Sequence, residues 1–160
     1  MFPDCWDIEK GKLVQEFQNW GLLYKVEFEI MVTHPGSGWT NVFHFTADGD
    51  YFNDGDRIPS LLINSDRYFH FSSSVNGNPN YQQNAVFVLG KKYQMIIRQF
   101  KSNATYWYEI IIDGVSKLKI KNNQAKRFSS VKMYASDPWH NSFTSDLGSI
   151  SHIRVLQNEG

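Results

Sequence analysis

LLYKVEFEIMV, residues 22–32, decides the fold class. Val26, Phe28, Ile30 and Val32 fall on one face of this stretch, and Glu27, Glu29 and Met31 on the other. Successive side chains on a strand point to opposite faces, so the alternation reads as a half-buried β-strand. The rhythm continues outward. KLVQEF (12–17) precedes it, and WTNVFHFT (39–46), RIPSLLIN (57–64) and RYFHFSSSV (67–75) follow. Beyond these come YQMIIRQF (93–100), TYWYEIIID (105–113), SKLKIK (116–121), SSVKMYAS (129–136) and LGSISHIRVL (147–156). Turn residues punctuate the series at Pro35–Gly38, Asn64-Ser65-Asp66 and Asp113-Gly114. NGNPNYQQN (76–84) and DPWHNSFTSD (137–146) read as polar loops. Pro59 places its strand at an edge or at a strand start. No helix-length segment carries a 3.6-residue period.

About ten short strands with turns between them predict an all-β, antiparallel two-sheet β-sandwich of the jelly-roll type. A length of 160 residues suits one domain, residues 1–160 with a core over roughly 10–157. The first and last strands are expected to pair.

Lys+Arg and Asp+Glu are both 16, so the chain is neutral and has no basic stretch. That argues against nucleic acid and against an anionic membrane surface. No apolar run approaches the ~20 residues of a membrane span. The single cysteine, Cys5, excludes an internal disulfide and any multi-cysteine zinc site. MFPDCWDIEK lacks the features of a signal peptide. The domain is therefore cytosolic, or it is part of a longer extracellular protein in which Cys5 pairs elsewhere. A sequon, Asn103-Ala104-Thr105, lies between two predicted strands.

YWYEIIIDG, SISHIRVL, GDRIPSLLI, SSVNGN and VKMYASDPW together resemble the concanavalin A-like lectin/glucanase superfamily, which includes laminin-G-like, pentraxin-like and galectin-like jelly rolls. The resemblance implies two stacked sheets, one of them concave, with a saccharide or protein bound on the concave face or at the loop rim. It also implies calcium as a cofactor, since many members use it, and an extracellular or secreted setting with oligomers among the options. The galectin pattern of His, Asn, Arg, Trp and Glu on three neighbouring strands is not reproduced at matching spacing.

Three surfaces are candidates for binding. The loop ADGDYFNDGDRIPS (47–60) offers Asp48, Asp50, Asn53, Asp54 and Asp56 as calcium ligands. It is no EF-hand, because Pro59 stands where the closing Glu belongs. The competing reading is a polar turn with Arg57 as partner of the carboxylates. Polar and aromatic loop residues form the second surface: Asn76, Asn78, Asn80 and Tyr81, with Asp137, Trp139, His140 and Asn141. Asn donates and accepts at once, which suits sugar hydroxyls. Trp139 either stacks on a sugar or folds back to cap the sandwich. The third surface is a sheet face. Alternation groups Val42, His44 and Thr46 opposite Phe43 and Phe45, and Tyr68, His70 and Ser72 opposite Phe69 and Phe71. His44, Tyr68 and His70, with Arg98, would line a polar groove there. Trp6, Trp20, Trp39 and Trp107 are assigned to packing, Trp107 with the alternative of a place beside the groove.

Retaining glycoside hydrolysis needs two carboxyls about 5–5.5 Å apart. The closest Glu pair is Glu27 and Glu29, but position 31 is Met, so a solvated face is the simpler reading. The sequence thus predicts a non-catalytic recognition module that binds a glycan. The alternative is a protein–protein adhesion or receptor ectodomain module on the same fold without a sugar site.

Overall fold

The computed structural model describes residues 7–158. Cys5 and Trp6 lie outside the described residues. Alternation in LYKVEFEIMV is realised as β2 (Leu23–Val32), whose burial switches at every residue. The other strands are β1 (Leu13–Trp20), β3 (Trp39–Thr46), β4 (Ser60–Asn64), β5 (Tyr68–Val75), β6 (Asn78–Val86), β7 (Lys92–Ser102), β8 (Thr105–Ile112), β9 (Val115–Lys121), β10 (Phe128–Tyr134), β11 (Asn141–Ser142) and β12 (Gly148–Asn158). They form two sheets. The larger runs β1-β10-β3-β4-β5-β6, with β11 added in parallel beside β3, and the smaller runs β12-β2-β7-β8-β9. Among the described residues no helix is long and apolar enough to cross a membrane.

The inner faces meet in one aromatic-rich core. Phe43 and Phe45 of β3 and Phe69 and Phe71 of β5 come from the larger sheet. Val26, Phe28 and Ile30 of β2 and Ile97 of β7 come from the smaller. Phe28 meets Phe43 edge-on across the interface at 5.1 Å between centroids, a favoured aromatic geometry. Trp20 is fully buried between Phe17, Tyr24 and Phe45, as its packing assignment required.

Turn chemistry behaves as read. Asn64 to Arg67 closes the β4–β5 hairpin, and Asp113-Gly114 adopts positive φ at both residues to join β8 to β9. Ser60 begins β4 directly after Pro59, so the proline marks a strand start inside the sheet.

Two expectations are corrected. Segment 76–84 is not a loop: Asn78–Val86 is the edge strand β6, paired with β5. A strand with solvent along one edge and polar residues on one face carries little apolar signal, and Pro79 is tolerated there. The first and last strands also do not pair. β1 pairs with β10 in the larger sheet and β12 with β2 in the smaller, so the first and last strands belong to different sheets.

β12 enters its sheet through Gly148, opposite Val32. A Cβ there would stand 2.1 Å from the Met31 carbonyl oxygen and 2.8 Å from the Phe143 ring. Backbone cannot yield that far, so Gly148→Ala is expected to destabilise the domain by about 1–3 kcal/mol or more, read as a lowered Tm in thermal unfolding.

Candidate functional site: a groove on the larger sheet

β3 is buried on both faces from Thr40 to Thr46. Phe43 and Phe45 enter the core, while His44 and Thr46 point the other way and are covered by two folded-back segments, residues 47–59 and 135–143. Asn41 ties the second segment down: its Oδ1 accepts from the Asp137 amide at 2.9 Å, and its Nδ2 donates to the Phe43 carbonyl at 3.1 Å.

Asp137 organises this cover. Its Oδ1 accepts from the amides of Trp139 (3.0 Å) and His140 (2.9 Å), and its Oδ2 lies 2.8 Å from Nδ1 of both His44 and His140. His44 Nε2 is 2.6 Å from the Asp56 carbonyl oxygen. Both partners of the His44 ring only accept, so both nitrogens are placed to donate. Burial alone would raise the Asp137 pKa, but the hydrogen bonds and charge of His140 and His44 outweigh it and hold the carboxyl well below the usual carboxylate range.

The acidic loop is closed from within. Asp56 accepts from the Gly49 amide with Oδ1 and from the Asn53 amide with Oδ2, both at 2.9 Å. Arg57 donates to the Asp50 carbonyl (2.9 Å) and Asp50 carboxylate (3.1 Å), and with Nη1 to Ser72 Oγ (3.2 Å) and Asn80 Oδ1 (3.0 Å). Asp54 pairs with Lys126 at 2.5 Å, and Asp48 is exposed. The turn reading, with Arg57 as the partner, describes this geometry.

Between these segments and β5–β6 lies a groove of about 210 Å³ lined by Trp39, Tyr51, Arg57, Leu62, His70, Asn80, Gln82 and His140. Trp39 is 40% exposed and stands edge-on to His70 (4.8 Å) and Tyr68 (5.8 Å). Tyr51 forms the opposite wall, with the Arg57 guanidinium 5.6 Å from its ring centre. Burial chiefly lowers the His70 pKa, against the hydrogen bond to Asn84, with the charges of Arg57 and His140 adding to the fall. Its Nδ1 is 2.7 Å from Asn84 Oδ1, so the neutral ring donates there and keeps Nε2 as an acceptor.

Of the residues singled out in the sequence as ligand-binding, the structure brings His70, Asn80 and His140 to this groove, and Tyr68 stands against its Trp39 wall without lining it. His44 and Asp137 are fully buried beneath it, so the expectation that they line a surface is corrected: the folded-back segments cover them. Arg98 lies on β7 in the other sheet, where it binds Glu109, and is likewise removed from the groove. Asn76 and Asn78 serve the β5–β6 turn and its neighbour: Asn76 Nδ2 donates to the Lys121 carbonyl and Asn78 Oδ1 accepts from the Asn80 amide. Tyr81 packs against the core. Asn141 holds Ser37 from β11. Trp139 is 41% exposed and rests edge-on against His44, so it caps the buried pair and still presents a surface. Trp39, assigned to packing, is the groove's main aromatic wall. Its place directly after the Pro35–Gly38 turn, at the open end of a strand, is the signal that could have found it.

Among the described residues, His44, Asp50 and Asp137 are the one group whose His, Asp or Glu ligand atoms lie within 4.8 Å of one another. They do not fit calcium, which takes six to eight oxygens. One ligand is an imidazole with both nitrogens engaged, Asp137 is saturated by four donors, and Asp50 is held by Arg57. Glu27 and Glu29 lie on the outer face of the smaller sheet, paired with Lys25 and Arg154 and with Lys92 and His152.

No protein-family profile and no curated protein matches the chain in sequence. Solved structures do match in fold. A native heptameric SAP-like pentraxin from Limulus polyphemus superposes with a TM-score of 0.59 at 15% identity, over 89% of this chain and 67% of its own. The botulinum neurotoxin serotype D binding domain, in complex with N-acetylneuraminic acid, gives 0.55 at 10% identity, over 90% of this chain and 34% of that one. A related toxin binding domain, in complex with rat synaptotagmin II, gives 0.53 at 14% identity, over 84% and 32%. Trypanosoma rangeli sialidase gives 0.58 at 10% identity, over 84% and 20%. The chain spans about a third or less of the toxin and sialidase chains it matches. These likenesses show the fold, a two-sheet antiparallel jelly roll.

Proposed function

We propose that this domain is a non-catalytic recognition module, working outside the cell, that binds a saccharide in the groove walled by Trp39 and Tyr51. The observation that carries the reading is the half-exposed Trp39 ring standing beside Arg57, His70, Asn80, Gln82 and His140. A sugar places its C–H face on such a ring and its hydroxyls on planar polar groups that both donate and accept. The groove is smaller than the about 300–1,000 Å³ of drug-sized pockets, which suits one terminal ring. Fold neighbours solved with a sialic acid and with a protein support recognition as the general role. Recognition here does not route through calcium.

A glycan array probed in calcium and in EDTA tests this. Expected is equal binding in both buffers, lowered about 10–100-fold by Trp39→Ala, a loss of the size of one stacking contact. No glycan bound in either buffer overturns the reading. The second reading is a protein partner on the same rim. Phe52, 73% exposed and stacked on Tyr51 at 4.2 Å, favours it.

A further inference from the structure

The chain as a whole is neutral, yet from Lys92 to Lys121 it holds six Lys/Arg against two Asp/Glu. These residues form β7, β8 and β9 of the smaller sheet, on the opposite side of the sandwich from the groove. Register aligns Lys25, Arg98, Glu109 and Lys119 in one row across four strands, and Phe100, Trp107 and Lys121 in the next. At about 4.8 Å per strand the first row spans roughly 14 Å.

The anion in that row is spent. Glu109 is buried, taking two bonds from Arg98 (2.8 and 2.6 Å) and one from Ser116 (2.8 Å). Lys119 and Lys121 join no salt bridge among the described residues. Their ammonium groups lie 5.0 and 5.6 Å from the Trp107 ring centre, and Lys119 and Arg98 lie 5.5 and 4.2 Å from that of Phe100. Beside the cations runs a shallow cavity of about 270 Å³ with Leu23, Phe100 and Leu156 in its lining.

We infer that this face is a second binding surface, for an extended sulfated polysaccharide. Charge complementarity calls for a partner with several anions spaced along one chain. The shallow apolar floor suits the C–H faces of pyranose rings between those anions. A single-stranded nucleic acid needs open aromatic faces on which bases stack. Here cations meet both rings, so the face offers ammonium and guanidinium instead. The proposal is independent of the sugar groove, since it rests on other residues of another sheet.

Heparin titrated against the whole domain at about 50 mM NaCl tests it, with salt then raised to screen the contacts. Expected is saturable binding that weakens with salt, and an affinity lowered about tenfold or more by Lys119→Gln with Lys121→Gln, the loss of two exposed charge contacts. The charge-matched control, Lys91→Gln with Lys92→Gln at the start of β7, toward the other end of the same sheet, should bind like the parent. Trp39→Ala should also bind heparin like the parent, which separates this surface from the groove. No binding overturns the proposal, as does equal loss in the control pair. Tighter binding of poly(U) or of polyglutamate than of heparin overturns the ligand class.

Discussion

Replacing Asp137 by Asn is expected to lower the unfolding free energy by about 3–5 kcal/mol in urea denaturation at pH 7, the cost of leaving several buried donors without their charged acceptor. The carboxylate is fully buried and accepts from two backbone amides and two imidazoles. An amide of the same shape keeps one accepting oxygen and turns a donor toward rings that themselves donate. His44 and His140 would then each face a donor where the carboxylate accepted from them, inside a site closed to water. For a domain of this length the loss corresponds to a fall in Tm of roughly 6–20 °C. The wild-type protein carries a matching pH dependence. The folded pKa of Asp137 lies below that of the unfolded chain, so its contribution is complete above about pH 4 and is lost as pH falls through the folded value. Asp137→Asn should flatten the acid limb of the stability–pH curve. A variant as stable as the parent would show that the network is not what holds the two covering segments on β3.

Arg57→Met should abolish saccharide binding and free the acidic loop. The guanidinium is nearly buried and joins three pieces of chain: Asp50 on the loop, Ser72 on β5 and Asn80 on β6. Methionine keeps the stem and removes every donor. Asp50 is then left beside Asp137 without its neutralising partner, so the loop has reason to swing outward and carry Tyr51 from the groove. Hydrogen exchange would show the amides of Gly49 and Asn53 losing protection, because both are held by Asp56 within this loop. Added calcium should not restore protection or binding. Restoration by calcium would mean that the loop carboxylates converge on an ion when Arg57 is gone.

The fold was legible because a period of two is a strong signal wherever one face enters a core. Val26, Phe28 and Ile30 announced β2, and paired phenylalanines announced β3 and β5. The same signal is blind to what lies over the other face. His44 and His70 were correctly placed on the side away from the Phe pairs, yet one is sealed under two loops and the other reaches the groove. The difference comes from Asn41 and Asp137, which are 96 residues apart in sequence and whose hydrogen bond no local pattern encodes. β6 escaped for a related reason: Asn80, Gln82 and Asn84 serve the groove face, so the strand reads as polar. The lining of the groove was half visible, in the Asn-rich and His-rich stretches, while Trp39 was hidden among residues that pack.

The double cover on β3 also sets which parts of the molecule can be rewritten. Tyr51, Phe52 and Trp139 are the outward tips of segments whose inner residues are bound into the body of the protein. A combinatorial library that varies these tips while keeping Asp56, Arg57 and Asp137 would sample new specificities on an intact frame. Randomising either segment end to end would instead return mostly unfolded clones. The domain thus has the makings of a display scaffold, with its adjustable positions only a few residues along the chain from its anchors.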